Sequence, residues 1–191
     1  MSAHTRARVT LKLATSLDGK IALANGASKW ITGPDSRSEV HKMRAAHEAI
    51  LTGVGTIIAD DPLFTARLDP MPERQPDLIV LDRSCRMPMG AKVFSVTERQ
   101  VVMRSNRNIA DALAGYERVM IEAGAQIAAA AIKANVVDRI EWFRAPIILG
   151  SDGLDVIAEL GLETLEKAPI FQRTGIIERG ADIQESYERI R

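Results

Sequence analysis

Residues 9–67 read VTLKLATSLDGKIALANGASKWITGPDSRSEVHKMRAAHEAILTGVGTIIADDPLFTAR, and this segment decides the fold. Apolar side chains alternate along residues 9–14, which predicts a strand, and the strand runs into a polar turn at residues 16–19. Further along, a short apolar run ends in the glycine-containing segment 53–55. Buried strands that end in glycine and hydroxyl turns, each followed by a helix start, predict an anion site at the carboxyl edge of a sheet.

A helix is predicted between these two strands, beginning near Thr32. Thr32 and Asp35 have the spacing of a capping box. Arg37, His41 and Arg44 then fall on one face of the helix. This basic face is either a solvated surface or a phosphate clamp, because guanidinium groups bind phosphate oxygens in a fixed fork.

Two features of the segment have more than one interpretation. Lys12 lies among apolar neighbours in the first strand, so its ammonium either points to solvent on an edge strand or belongs to a site. Residues 53–58, GVGTII, resemble a dinucleotide fingerprint in which Ile58 replaces the third glycine. They form either a plain turn or a turn at which backbone amides approach a ligand. The aspartates at 60–61 are expected in the loop that follows.

The rest of the chain alternates strands and helices and closes with a hairpin. An alanine-rich helix that starts after Gly124 is either a core helix or an anion cradle. The alternation predicts an α/β fold with a mixed, mostly parallel sheet in a single domain, with residues 1–8 as a flexible tail. The predicted strands are 77–81, 100–103, 118–121, 139–143 and 146–149, the helices 109–116 and 125–135, and the hairpin strands 169–177 and 183–190.

The composition excludes several classes of protein. Twenty-five basic and 25 acidic residues give zero net charge, which argues against a nucleic-acid binder with a broad basic surface. No apolar run is long enough to span a bilayer, and the first eight residues contain no signal-like apolar region, so a cytoplasmic protein is expected. The single cysteine, Cys85, is interpreted as an incidental turn residue and suits a reducing compartment.

No metal-dependent chemistry is expected, since three histidines and one cysteine lack ligand spacing and the signature of nucleobase deaminases is missing. Glycine turns, hydroxyls, carboxylates and arginines remain. That inventory suits a phosphorylated substrate held beside a nucleotide cofactor that supplies the chemistry.

These motifs closely resemble the riboflavin-biosynthesis reductase domain of the bacterial RibD family. The resemblance implies a dihydrofolate-reductase-like three-layer fold and NADPH-dependent reduction of the ribose of 5-amino-6-(5-phosphoribosylamino)uracil to a ribityl chain. The deaminase domain that precedes the reductase in the usual bacterial protein is expected to be missing. The matching segments are 12–19, 28–32, 44–45, 49–53, Thr56, 59–67, 122–124 and 145–152.

The resemblance also implies roles for twelve residues. It places NADPH against Ala14, Trp30, Thr56, Asp60, Arg83 and Gly124, with Arg83 toward the 2′-phosphate. It places the substrate against Ser28, Arg44, Phe64, Arg67 and Glu122, with the two arginines as phosphate partners. Lys12 and Glu122 are the candidates for steering the proton that accompanies hydride delivery.

Two departures from the family pattern keep alternatives open. The chain is shorter than expected before Glu122, and residues 125–127 are unusual for a pyrophosphate turn. The alternatives are an NADPH reductase acting on another pyrimidine or pterin-like compound, and a non-catalytic ligand-binding module. The family also suggests a homodimer, for which the apolar late strands could supply an interface.

Overall fold

The computed structural model describes residues 6–105 and 108–190, and its centre is an eight-stranded sheet. The strand order is β5-β4-β3-β6-β1-β7-β10-β9. Every neighbouring pair from β5 to β7 is parallel, whereas β10 pairs antiparallel with β7 and β9. The strands are β1 Arg8–Thr15, β2 Lys20–Ala22, β3 Ala49–Gly53, β4 Asp77–Leu81, β5 Val101–Arg104, β6 Arg118–Ile121, β7 Arg139–Arg144, β8 Leu154–Asp155, β9 Phe171–Arg179 and β10 Asp182–Arg189.

Helices cover both faces of the sheet, which gives three layers. Core side chains of α1 and α2 pack on one face with Ile50, Leu78 and Met120. Core side chains of α3 and α4 pack on the other face with Leu11 and Leu51. The helices are α1 Pro34–Ala45, α2 Val54–Asp60, α3 Ile109–Ala112 and α4 Ala125–Lys133, and two short 3₁₀ turns span Lys92–Ser95 and Leu165–Lys167.

The predicted fold class is confirmed, and several local predictions need correction. Residues 146–149 form no strand, and the helix predicted over 109–116 is only one turn long. The segment after β3 is a helix rather than a turn, so Asp60 ends α2 instead of lying in a loop. Lys12 is not on an edge strand, because β1 lies between β6 and β7.

The capping box predicted at Thr32 is also wrong. The residue that caps α1 is Gly33, and no side chain of the segment itself caps the helix. A buried carboxylate far along the chain takes that place: Asp182 of β10 accepts hydrogen bonds from the Gly33 amide at 2.7 Å and the Ser36 hydroxyl at 2.6 Å.

Within the described residues, no helix combines the length and apolar character needed to cross a membrane. His4 and the rest of residues 1–5 lie outside the described part of the chain.

Candidate active site

A cavity of about 1650 Å³ opens at the carboxyl edge of the parallel strands. Its walls come from the ends of β1, β3, β4 and β6, the starts of α2 and α4, and the small β2–β8 sheet. All twelve residues for which the resemblance implies a role line it, namely Lys12, Ala14, Ser28, Trp30, Arg44, Thr56, Asp60, Phe64, Arg67, Arg83, Glu122 and Gly124. The structure therefore brings these residues together, and what each of them binds stays a prediction.

A largely buried cluster of three charged side chains forms the floor of the cavity. Arg44 makes a forked contact with Glu122, with Nε to Oε2 at 3.0 Å and Nη2 to Oε1 at 2.9 Å. The Lys12 ammonium lies 3.5 Å from the same Glu122 Oε1. At most 16% of any of these side chains is exposed, so solvent screens the interactions weakly.

The cluster fixes the protonation of its members. Burial alone would raise the pKa of Glu122, but Arg44 and Lys12 outweigh it and hold that pKa at about 2. Burial lowers the pKa of Lys12, Glu122 opposes the shift, and the positive charge of Arg44 adds to it. Glu122 is therefore an ionised acceptor near neutral pH, and the Lys12 ammonium is a stronger acid than that of an exposed lysine.

Arg44 is already paired with other groups of the protein, and its role as a phosphate partner stays a prediction. Besides the fork to Glu122, its Nη1 donates to the Thr65 carbonyl at 2.9 Å, and its guanidinium lies 5.7 Å from the centre of the Phe64 ring. The basic face of α1 is thus neither a solvated surface nor an open clamp at this position. Arg44 holds Glu122 and the loop around Thr65 in place.

Arg67, unlike Arg44, has no carboxylate partner among the described residues. Among the described residues, its guanidinium contacts only the Thr65 hydroxyl, at 3.3 Å. Burial and the nearby positive charge of Arg44 lower the pKa of Arg67. Because the Arg67 guanidinium lines the cavity without a carboxylate partner, this part of the cavity is suited to a negatively charged group.

Sequence reasoning missed the residues that hold this loop. Arg99, buried in the core, donates to the carbonyls of Phe64 at 3.1 Å and Leu63 at 2.6 Å. The buried Gln75 amide bonds to both backbone groups of Ala66, accepting at 2.6 Å and donating at 3.1 Å. No local pattern could have revealed these partners, because they lie nine to 36 positions from the atoms they bind.

A third missed residue shapes the turn that carries Arg83. Asp82 is buried and accepts hydrogen bonds from the amides of Ser84 at 3.3 Å and Met87 at 2.8 Å. The turn closed in this way carries both Arg83 and Arg86 to the cavity wall. Cys85 in the same turn is exposed, as expected for an incidental residue.

The amino end of α4 faces the cavity without a side chain in the way. Gly124 caps the helix with φ −75° and ψ 175°, a conformation that any residue can adopt. A Cβ atom there would meet no other atom within 4 Å. Neither backbone conformation nor packing therefore requires a glycine at 124, whereas a ligand approaching the backbone amides would.

The sequence profile of the RibD C-terminal domain matches residues 7–184 of this chain. The chain belongs to the RibD C-terminal domain family. It is 32% identical to the riboflavin biosynthesis protein RibD of Haemophilus influenzae, over 94% of this chain and 58% of that protein. The chain thus spans a little over half the length of this relative.

Solved structures give the same family and fold. RibD of Acinetobacter baumannii superposes with a TM-score of 0.87 at 28% identity, over 97% of this chain and 59% of that one. A diaminohydroxyphosphoribosylaminopyrimidine deaminase/5-amino-6-(5-phosphoribosylamino)uracil reductase of Thermotoga maritima gives 0.82 at 28% identity, over 97% and 57%. A dihydrofolate reductase of Enterococcus faecalis, in complex with NADP(H), gives 0.61 at 13% identity, over 98% and 99%, and shows the fold alone.

The family and its reductase fold point to a nicotinamide cofactor, and the cavity fits one. The open backbone at Gly124 offers amides to a pyrophosphate, and the Arg83 turn adds positive charge. At about 1650 Å³ the cavity exceeds the roughly 300–1,000 Å³ of a typical single-ligand pocket, so a dinucleotide and a substrate can be accommodated together.

Proposed function

We propose that this chain reduces the ribose of 5-amino-6-(5-phosphoribosylamino)uracil to the ribitylamino product with NADPH, a step of riboflavin biosynthesis. The single observation that supports this most strongly is the composition of the cavity. A backbone cradle at Gly124 and a buried Lys12–Glu122–Arg44 cluster face one space. The cradle suits a dinucleotide, and the cluster suits the proton transfer that reduction of a sugar requires.

In this proposal NADPH lies along the glycine-lined side of the cavity. Amides at the start of α4 would hold its pyrophosphate, and Arg83 with its neighbour Arg86 would hold the 2′-phosphate. The remaining cofactor contacts would be Ala14, Trp30, Thr56 and Asp60. When bound, the reduced nicotinamide supplies the hydride that ribose C1 receives.

The substrate would lie over the charged cluster. Arg67 is the better phosphate ligand of the two predicted arginines, because Arg44 is neutralised by Glu122 while Arg67 is not. Phe64 and Ser28 would line the rest of the substrate position. The ionised Glu122 can accept hydrogen bonds from sugar hydroxyls.

The reaction opens the ribose ring, so C1 gains a hydride and the ring oxygen leaves C1 and gains a proton. Lys12 is the proposed donor of that proton. Its ammonium is held beside Glu122 in a poorly screened site where burial lowers its pKa, which makes it a stronger acid than an exposed lysine. Glu122 is the less suitable donor of the two predicted residues, because its pKa of about 2 keeps it ionised.

The test is to measure oxidation of NADPH by the purified chain in the presence of 5-amino-6-(5-phosphoribosylamino)uracil, with NADH assayed in parallel. Stoichiometric formation of the ribitylamino product supports the proposal. If NADPH is oxidised only with another pyrimidine or with a pterin, the proposed substrate is wrong and that compound takes its place. Cofactor binding without turnover of any of these compounds would favour a ligand-binding module.

We also propose that the chain forms a homodimer through its C-terminal hairpin. β9 is an edge strand whose backbone can pair with a further strand, and Ile170, Ile176 and Ile177 on or beside it are 63%, 53% and 48% exposed. Light scattering should give twice the mass of one chain, and Ile176→Lys should shift the mass toward the monomer. A monomeric wild type at micromolar concentration would refute the dimer.

We propose a cytoplasmic location for the chain as part of its proposed function.

A further inference from the structure

Trp30 stands on the cavity wall with 70% of its surface exposed, so core packing does not hold it in place. One contact comes from α1. The Arg37 guanidinium lies over the indole, 4.6 Å from the ring centre, and its Nη1 donates to the Thr32 carbonyl at 2.6 Å. Arg37 therefore contacts both the Trp30 ring and the backbone of Thr32, two residues further along the chain.

The start of α1, which follows the Trp30 loop, is held by a residue from the far end of the chain. Asp182, 3% exposed at the start of β10, accepts the Gly33 amide and the Ser36 hydroxyl on the same oxygen, Oδ2. It fixes the point at which the Trp30 loop enters α1 and places a negative charge at the amino end of that helix.

The tip of the C-terminal hairpin is seated on the same end of α1. Arg179 of β9 forms an ion pair with Glu39 at 3.2 Å. Gly180, between the two strands, lies so close to Asp35 that an added Cβ would be 2.9 Å from its carboxylate. The hairpin tip, defined here as residues 179–182, thus packs against the first turns of the helix that holds the Trp30 loop.

We propose that Asp182 and Arg37 are positioning residues that set the orientation of Trp30 toward the cofactor. Asp182 acts through the start of α1, and Arg37 acts directly on the ring. The hairpin tip thereby supports the cofactor side of a cavity to which its own residues do not contribute. The relevance to NADPH rests on the proposed function, whereas the effect on Trp30 does not.

The experiment uses the full chain labelled with fluorotryptophan, because the protein has two tryptophans, Trp30 and Trp142. Trp30→Phe assigns the two fluorine resonances. Trp142 lies in β7, which pairs with β10, so its resonance reports on the sheet to which the hairpin belongs. Arg37→Ala and Asp182→Ala should each move the Trp30 resonance toward that of free fluorotryptophan and leave the Trp142 resonance unchanged.

The variants should also weaken NADPH binding. Arg37→Ala should raise the Kd for NADPH by about two- to fivefold, the range expected for loss of an exposed cation–π contact. Arg37→Lys, which keeps the charge, and Asp182→Asn, which keeps an oxygen acceptor, should recover part of the loss. The control is Lys133→Ala, which removes an exposed cation at the carboxyl end of α4, outside the cavity and away from α1, and should change neither resonance nor Kd.

A Trp30 resonance that stays in place in both alanine variants would overturn the proposal. Movement of both resonances in Asp182→Ala would overturn it as well, because Asp182 would then support the sheet in general. If the wild type binds no NADPH while the Trp30 resonance responds as expected, the proposed function fails and the positioning of Trp30 stands.

Discussion

The substitution Gly124→Ala tests whether position 124 needs a glycine for ligand binding or for folding. The backbone at 124 is extended, and the added methyl group would meet no protein atom within 4 Å. The cost to folding is only that of a poorer helix cap, about 1 kcal/mol or less. For a chain of this size it lowers Tm by about 2–4 °C at most.

The effect on the cofactor should be far larger, because the methyl group would project into the cavity at the amino end of α4. If it displaces a phosphate from one backbone amide, the lost charged hydrogen bond is worth about 1.5–3 kcal/mol. That corresponds to a Kd for NADPH about ten- to 150-fold higher. The assay is a fluorescence titration with NADPH, with thermal unfolding measured on the same sample.

Gly90 offers a matched control. A Cβ atom at Gly90 would also meet nothing within 4 Å, its φ is not in the left-handed region, and it does not line the cavity. Gly90→Ala should leave both Tm and the Kd nearly unchanged. An unaltered Kd in Gly124→Ala would refute the placement of the pyrophosphate at α4, and an equal loss of affinity in Gly90→Ala would show that the effect is not local.

Three further predictions follow from the charged groups and the hairpin. Arg67→Ala should raise KM for the phosphorylated substrate by about ten- to 150-fold, because it removes a charged hydrogen bond to the substrate phosphate. Tm should change little, since the Arg67 guanidinium contacts only the Thr65 hydroxyl among the described residues. Steady-state kinetics measure KM, and an unchanged KM would remove Arg67 from the phosphate site. Glu122→Gln should abolish turnover and destabilise the protein by roughly 3–5 kcal/mol at neutral pH, since it leaves the buried Arg44 charge uncompensated. In the wild type, folding lowers the pKa of Glu122 from an ordinary 4.5 to about 2. Its contribution of about 3 kcal/mol to the free energy of unfolding is therefore complete above pH 4.5 and is lost as the pH falls toward 2. Urea unfolding at neutral and acidic pH should show a smaller loss of stability on acidification in Glu122→Gln than in the wild type, and identical losses would contradict the assigned pKa. Gly180→Ala should destabilise the hairpin tip by about 1 kcal/mol or more, because φ is +65° and the new Cβ would be 2.9 Å from Asp35 Oδ2; a Tm equal to that of the wild type would count against the seating of the tip on α1.

Periodicity predicted the elements whose sequences carry their own signal. After Asp77, β4 is an apolar run and lies between two neighbouring strands, and the closing hairpin turns at Gly180, which has a positive φ. The strand predicted at 146–149 failed although its residues are apolar. Asp18 accepts hydrogen bonds there from the amides of Leu149 at 3.1 Å and Gly150 at 2.8 Å, so the segment is tied to the turn after β1 rather than to a neighbouring strand.

At the candidate site, too, the local sequence did not show contacts between residues that are distant in the chain. The resemblance to the family implied roles for twelve residues, and all of them line one cavity. Several of them follow parallel strands, whose carboxyl ends meet at one edge of the sheet. The sequence could not show which cations are already paired. Arg37, His41 and Arg44 share one face of α1, yet they contact the Trp30 ring, the Thr65 carbonyl and Glu122, respectively. The helical period places them side by side, and only the fold supplies partners that are distant in sequence.

This division of the cations decides where anions can bind. Lys12 and Arg44 both pair with Glu122, so a phosphate near them would have to compete with a carboxylate that is already in place. Arg67 and Arg83 have no carboxylate partner among the described residues, and they lie on separate loops, after α2 and after β4. Positive charge without a carboxylate partner on two loops is consistent with the proposed binding of two phosphorylated ligands. The paired cluster of Lys12, Arg44 and Glu122 is then left for the proposed proton transfer to the sugar.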